Sequence, residues 1–244
     1  MIRQSLHLLI LVNFFILLVS CNAQSDSLQR QLGPNDVRFT TSDDFVLSGR
    51  LVGEGDVVVV FPRPLDEDQS AIDYLDTFID ELAETGVQVF TFGFRNSSNS
   101  NSPDVIDYTT DLLSALDYVQ QYSSEPPLII GSGLVGGLAF QTSFERDLLG
   151  IIVISPLIED IDQKLDIGSM KLTTPSLFLT SEDGAFLNIT AKLFDLAASP
   201  RILEVYRGND FGISIISGEH SELAKSRILE FIQGCINGFS EIDV

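Results

Sequence analysis

The stretch Leu128-Ile129-Ile130-Gly131-Ser132-Gly133-Leu134-Val135-Gly136-Gly137 decides how this chain is read. Leu128 to Gly131 is a continuous apolar run, the pattern of a strand covered on both faces. Leu138 to Arg146 reads as a helix. Between them lie Ser132, Gly133, Gly136 and Gly137, so the chain passes from strand to helix through a tight, glycine-dependent turn. This reading places Leu134 at the tip of the turn. A leucine side chain has no atom able to attack a substrate, so the turn has an inert tip.

Outward from that turn, strand and helix patterns alternate. Val37 to Thr41 and Phe45 to Val52 alternate apolar and polar residues around Ser42-Asp43-Asp44, which predicts a β-hairpin with one wet face. Val57 to Phe61 is a buried strand. Ile72, Leu75, Phe78, Ile79 and Leu82 recur at helical spacing, and Gly86 ends that helix. Val87 to Phe92 is a strand, Arg95 to Asp104 an Asn/Ser-rich loop, and Leu112, Leu113, Leu116 and Val119 mark a helix that stops before Pro126-Pro127. Strands at Ile151 to Ile154, Ser176 to Thr180 and Arg201 to Tyr206 follow, with helices at Ile189 to Ala197 and Ser221 to Phe231. The order predicts an α/β fold: a mostly parallel sheet with helices on both faces and an N-terminal β-hairpin. In such sheets chemistry sits at the carboxyl ends of the strands.

The N-terminus reads differently. Arg3 precedes an apolar run from Leu6 to Val19 that ends in Leu18-Val19-Ser20-Cys21. This resembles the lipobox of bacterial lipoproteins. The resemblance implies a signal peptide over 1–20, cleavage before Cys21, and a lipidated Cys21 that anchors the protein to the membrane at the bacterial cell envelope, outside the cytoplasm. Residues 21–35 are polar and patternless and read as a tether, leaving 36–244 as one domain.

Composition narrows the partners. There are 35 Asp+Glu against 14 Lys+Arg, a net charge of -21, which repels phosphate backbones and excludes a nucleic-acid role. Without Cys21, Cys235 has no cysteine to pair with, and its register with Ile228, Phe231 and Ile232 puts it on an apolar helix face. His220 is the single histidine beyond the signal segment. One Cys and one His cannot build a typical zinc site, and the sequence points to no metal and no cofactor. Asp66-Glu67-Asp68 lacks EF-hand spacing and reads as a solvated loop.

Taken in order, several landmarks resemble the α/β-hydrolase superfamily, in particular small bacterial esterase or dienelactone-hydrolase-like members. They are Thr41-Ser42-Asp43-Asp44, Phe92-Gly93-Phe94-Arg95, the turn at Ser132 to Gly137, Pro175 to Leu179, and Gly208-Asn209-Asp210-Phe211-Gly212. The resemblance implies a Ser-His-acid triad, with the turn as nucleophile elbow. Its acid falls on Asp183, its histidine position on Phe211 and its nucleophile position on Leu134. Pro62-Arg63 stands where many members have His-Gly after the third strand, and Gly93-Phe94-Arg95-Asn96 where many read Asp-x-Arg-Gly. A degenerate site implies no acyl-enzyme and no base, with Asp183 as a polar loop residue capping nearby backbone. The expectation is a membrane-anchored, non-catalytic lipoprotein that binds a small molecule or an envelope protein, with Pro62, Arg63, Arg95, Leu134 and Phe211 as its candidate pocket. An alternative rebuilds an active serine hydrolase from Ser132, Asp183 and His220. Against it, His220 reads as an exposed residue at the start of the last helix.

Overall fold

The computed structural model describes residues 33–65, 69–95, 108–158 and 171–239. Cys21 and the signal and tether segments up to residue 32 lie outside them, as do Asp66-Glu67-Asp68 and most of the Asn/Ser-rich loop. The chain divides into two units, Met1–Asp36 and Val37–Val244.

The second unit is built on an eight-stranded sheet. Its strands are β1 (Asp36–Thr40), β2 (Val46–Val52), β3 (Val58–Val60), β4 (Gln88–Phe92), β5 (Leu128–Ser132), β6 (Gly150–Ile154), β7 (Ser176–Ser181) and β8 (Arg201–Tyr206), in the order β1-β2-β4-β3-β5-β6-β7-β8. β1 and β2 form the antiparallel hairpin expected from their alternation, and β2 is antiparallel to β4. Every later pairing is parallel. The central strands are apolar at nearly every position because both faces are covered: Val58, Val59, Val60, Ile129, Ile130, Ile151 and Ile152 have no exposed surface.

The helices divide between the two faces. α2 (Tyr108–Val119), α3 (Gly133–Thr142) and α4 (Leu187–Leu196) pack with Ile129, Val153 and Phe178 into one core. α1 (Gln69–Ala83), α5 (Ser214–Ser217) and α6 (Ser221–Asn237) pack with Ile130, Ile154 and Leu179 into the other. Cys235 lies on the inner side of α6, its sulfur pressed toward Gly150, and burial pushes its thiol up to about 12.

One element departs from the sequence reading in a way that matters. The helix after β5 begins at Gly133 and ends at Thr142, not Leu138 to Arg146. There is no loop between strand and helix. Local propensity assigns a glycine-rich segment to a turn, but packing overrides it here. A Cβ on Gly137 would lie 2.3 Å from the Leu157 carbonyl oxygen, and one on Gly136 would lie 2.9 Å from that of Gly131. The two glycines are therefore inside the first turn of α3, where they let it press against β5 and the chain leaving β6.

Gly137→Ala is expected to cost about 1–3 kcal/mol, the usual range for overpacking. Urea unfolding measures it. Gly86→Ala, at φ 89 but with nothing within 4 Å of the added carbon, should cost about 1 kcal/mol.

Candidate functional site

At the carboxyl end of β5 the backbone is extended at Ser132 (φ -115, ψ 141) and turns left-handed at Gly133 (φ 57) before entering α3. The left-handed residue is the one such a turn presents. It is Gly133, so the sequence assignment to Leu134 is corrected by one position: Leu134 is the half-buried second residue of α3. The frame around the true tip is Gly131-Ser132-Gly133-Leu134-Val135. Its first glycine is required, because a Cβ on Gly131 would lie 2.6 Å from the Val135 carbonyl oxygen. The sequence concealed this because a glycine at the tip looks like one more turn glycine.

Phe211 covers the tip. A Cβ on Gly133 would lie 3.3 Å from Phe211 Cζ. The other partner of the Phe211 ring is Phe186, with centroids 4.4 Å apart and planes inclined by 34°. Phe186, which the sequence reading missed, ends the loop after β7, three residues beyond Asp183. That loop and the one after β8 are tied together. The Glu182 N–H donates to the Tyr206 carbonyl (2.8 Å), the Asp183 N–H to that of Gly208 (3.0 Å), and Ser181 Oγ to that of Asp210 (2.7 Å). Asp183 itself is exposed, and among the described residues its carboxylate caps nothing, contrary to the expectation.

Solved structures with a similar fold include an esterase of Pyrococcus furiosus (TM-score 0.67, 18% identity, covering 81% of this chain and 89% of that one). An esterase of Pyrobaculum calidifontis matches with TM-score 0.66, 14% identity and 82% of each chain. A serine hydrolase homologue from Coxiella burnetii matches with TM-score 0.62, 13% identity, and 82% and 97% of the two chains. The fold is that of the α/β-hydrolases. No family profile matches the sequence, and no curated protein sequence does.

An α/β-hydrolase draws its oxyanion donors from the backbone after the nucleophile and from the loop after β3. In this chain that loop begins Pro62-Arg63-Pro64. The prolines have no N–H, and the Arg63 N–H donates to the Phe92 carbonyl at 2.9 Å. Three successive residues therefore have no free backbone N–H to offer an oxyanion.

The replacement residues do not assemble either. Ser132 is 4% exposed, and its Oγ has no hydrogen-bond partner. It is in register with Ile154 and Leu179, the sheet face packed by α1, α5 and α6. His220 is half-buried at the N-cap of α6 rather than exposed as expected. Its ring stacks on Tyr206 (5.5 Å), and its Nε2 meets the Arg207 carbonyl at 3.0 Å. No hydrogen bond joins any two of Ser132, Asp183 and His220 among the described residues.

The candidate pocket is corrected in its arginines. Arg63 Nη2 donates to both carboxylate oxygens of Asp76 on α1 (2.8 and 3.0 Å). Arg95 bridges Asp43 in the hairpin turn (2.6 Å) and the fully buried Asp111 of α2 (2.6 Å), with Phe45 stacked on its guanidinium. Both arginines are engaged in ion pairs that hold elements together. A cavity of about 600 Å³ opens between segments 143–148 and 171–175, at the opposite end of the sheet. Among the described residues no cluster of three or more His, Cys, Asp or Glu could hold a metal ion.

Two outcomes follow from this geometry. Gly133→Ala should cost about 1–2 kcal/mol for the left-handed backbone, and less in a Phe211→Ala background, where the ring contact is gone. A double-mutant cycle by urea denaturation reads the coupling. The second concerns Arg95. Its hydrogen bond, with that of Thr41, holds the Asp43 carboxyl well below the usual carboxylate range. A depressed folded-state value stabilises above the unfolded one and is lost as pH falls through the folded one. The urea midpoint should therefore drop from about pH 5 to about pH 2 more in the wild type than in Asp43→Asn. Asp111→Ala, which removes one of the two carboxylates that face the Arg95 guanidinium and leaves it only Asp43, should cost about 1–3 kcal/mol at neutral pH.

Proposed function

We propose that this protein has the α/β-hydrolase fold without the hydrolase reaction, and that the carboxyl end of its sheet is a contact surface for a protein partner. The observation that carries the reading is the Phe211 ring lying over Gly133. Acyl transfer needs a hydroxyl or thiol at the elbow and an imidazole facing it. Here there is a hydrogen atom and a phenyl ring, in contact. Restoring a serine would not by itself restore the reaction, because Pro62, Arg63 and Pro64 offer no free backbone N–H to an oxyanion. The same contact argues against a small-molecule site at this place, since the ring fills the volume in which a substrate carbonyl would sit.

The sequence supports a place for this activity. Arg3, the apolar run and Leu18-Val19-Ser20-Cys21 support lipidation at Cys21, and so an envelope protein held at a membrane with its domain outside the cytoplasm.

A fluorophosphonate probe, together with a panel of p-nitrophenyl esters, tests the catalytic half. The expected result is no covalent labelling and no turnover above a heat-denatured control. Labelling abolished by Ser132→Ala would establish the active hydrolase instead. Incorporation of radiolabelled palmitate into the wild type, and none into Cys21→Ala, is the outcome expected for the anchor.

A further inference from the structure

We infer that the partner presents a basic segment with a large apolar side chain, seated on Phe186 and Phe211; this rests on the non-catalytic reading of the site. Leu134, Leu157, Phe186 and Phe211 are each half-buried around the elbow. Leu157 is held there by its N–H, which donates to the Gly133 carbonyl at 2.9 Å. The aromatic pair stands on two loops fastened to each other by the three hydrogen bonds from Ser181, Glu182 and Asp183. It is thus presented in a fixed geometry, which lowers the ordering cost of association. An apolar, aromatic centre inside a polar rim is the usual anatomy of a protein contact.

The rim decides the chemistry of the partner. Glu182 and Asp183 are exposed and Asp210 is half-buried, all on the same two loops, with Arg207 as the one base among them. None of the three carboxylates has an ion-pair or hydrogen-bond partner among the described residues. Arg63 and Arg95, the bases nearest in the sequence reading, are committed to Asp76, Asp43 and Asp111. Three carboxylates less one guanidinium leave the rim net negative, on a chain of net charge -21. That field repels anionic ligands, anionic lipid and a second copy of this acidic chain, and attracts a cationic segment.

The test uses a fluorescein-labelled peptide, Lys-Lys-Leu-Phe-Lys-Lys, against the whole protein by fluorescence anisotropy. Two control peptides replace Leu-Phe by Gly-Gly or every Lys by Glu. The expected result is saturable, salt-sensitive binding of the first peptide alone. Phe186→Ala should weaken it about tenfold, as for a central aromatic anchor. Asp183→Lys, at an exposed side chain, should weaken it comparably and serves if Phe186→Ala does not fold. The remote Glu125→Gln should leave it unchanged. Amide NMR shifts should centre on residues 181–186 and 207–212. Equal binding of the Gly-Gly peptide, unaltered binding by Phe186→Ala or Asp183→Lys, shifts centred elsewhere, or no saturable binding would each overturn the inference. Probe labelling or ester turnover by the same preparation would instead overturn the non-catalytic reading, so the two failures are separable.

Discussion

The close approach of α3 to the centre of the sheet is the constraint on which the rest depends. Gly131, Gly136 and Gly137 each occupy a place where a Cβ would fall within 3 Å of backbone oxygen. Their bare backbones let the helix start on the residue after the strand. With no loop to absorb the change of direction, the turn is taken in one residue, and only a left-handed conformation takes it. Gly133 provides that conformation, and its position fixes what the carboxyl end of the sheet presents.

What it presents is a hydrogen atom, and the surroundings have closed onto it. Phe211 lies against the tip, Phe186 against Phe211, and the two loops that carry them are joined through backbone hydrogen bonds. The side of the site formed after β3 is altered in the same direction, by prolines and by an N–H already bonded within the sheet. Together they form a coherent packing arrangement, in which apolar contact and internal hydrogen bonds occupy the carboxyl end of the sheet. The ion pairs of Arg63 and Arg95 fit that picture: charges that could have faced a ligand brace α1, α2 and the hairpin.

Much of this was legible in the residues. Strand runs such as Val57 to Phe61 and Ile151 to Ile154 are unmistakable because a strand buried on both faces has to be apolar throughout. The alternation at Val37 to Val52 marked the hairpin because one face stays wet. That Phe211 belongs beside the turn after β5 was also visible, since it depends on residue type at a fixed place in the element order. The tip itself was misplaced by one residue, and α3 was started several residues late. Both errors have one cause: local propensity treats glycines as turn formers, whereas here they serve long-range contact. Phe186 went unnoticed because nothing local distinguishes it from any other apolar residue near the start of a helix.

The sequence by itself determined the element order, the parallel sheet and the acidity of the chain, because each follows from residue type and period alone. Only the tertiary structure decided which glycine stands at the tip, that Phe211 lies against it, that Phe186 completes the pair, and that Arg63 and Arg95 are taken up in ion pairs. Those depend on distances between segments far apart in the chain, and such distances are set by how side chains and backbone oxygens crowd one another once the sheet and helices have packed.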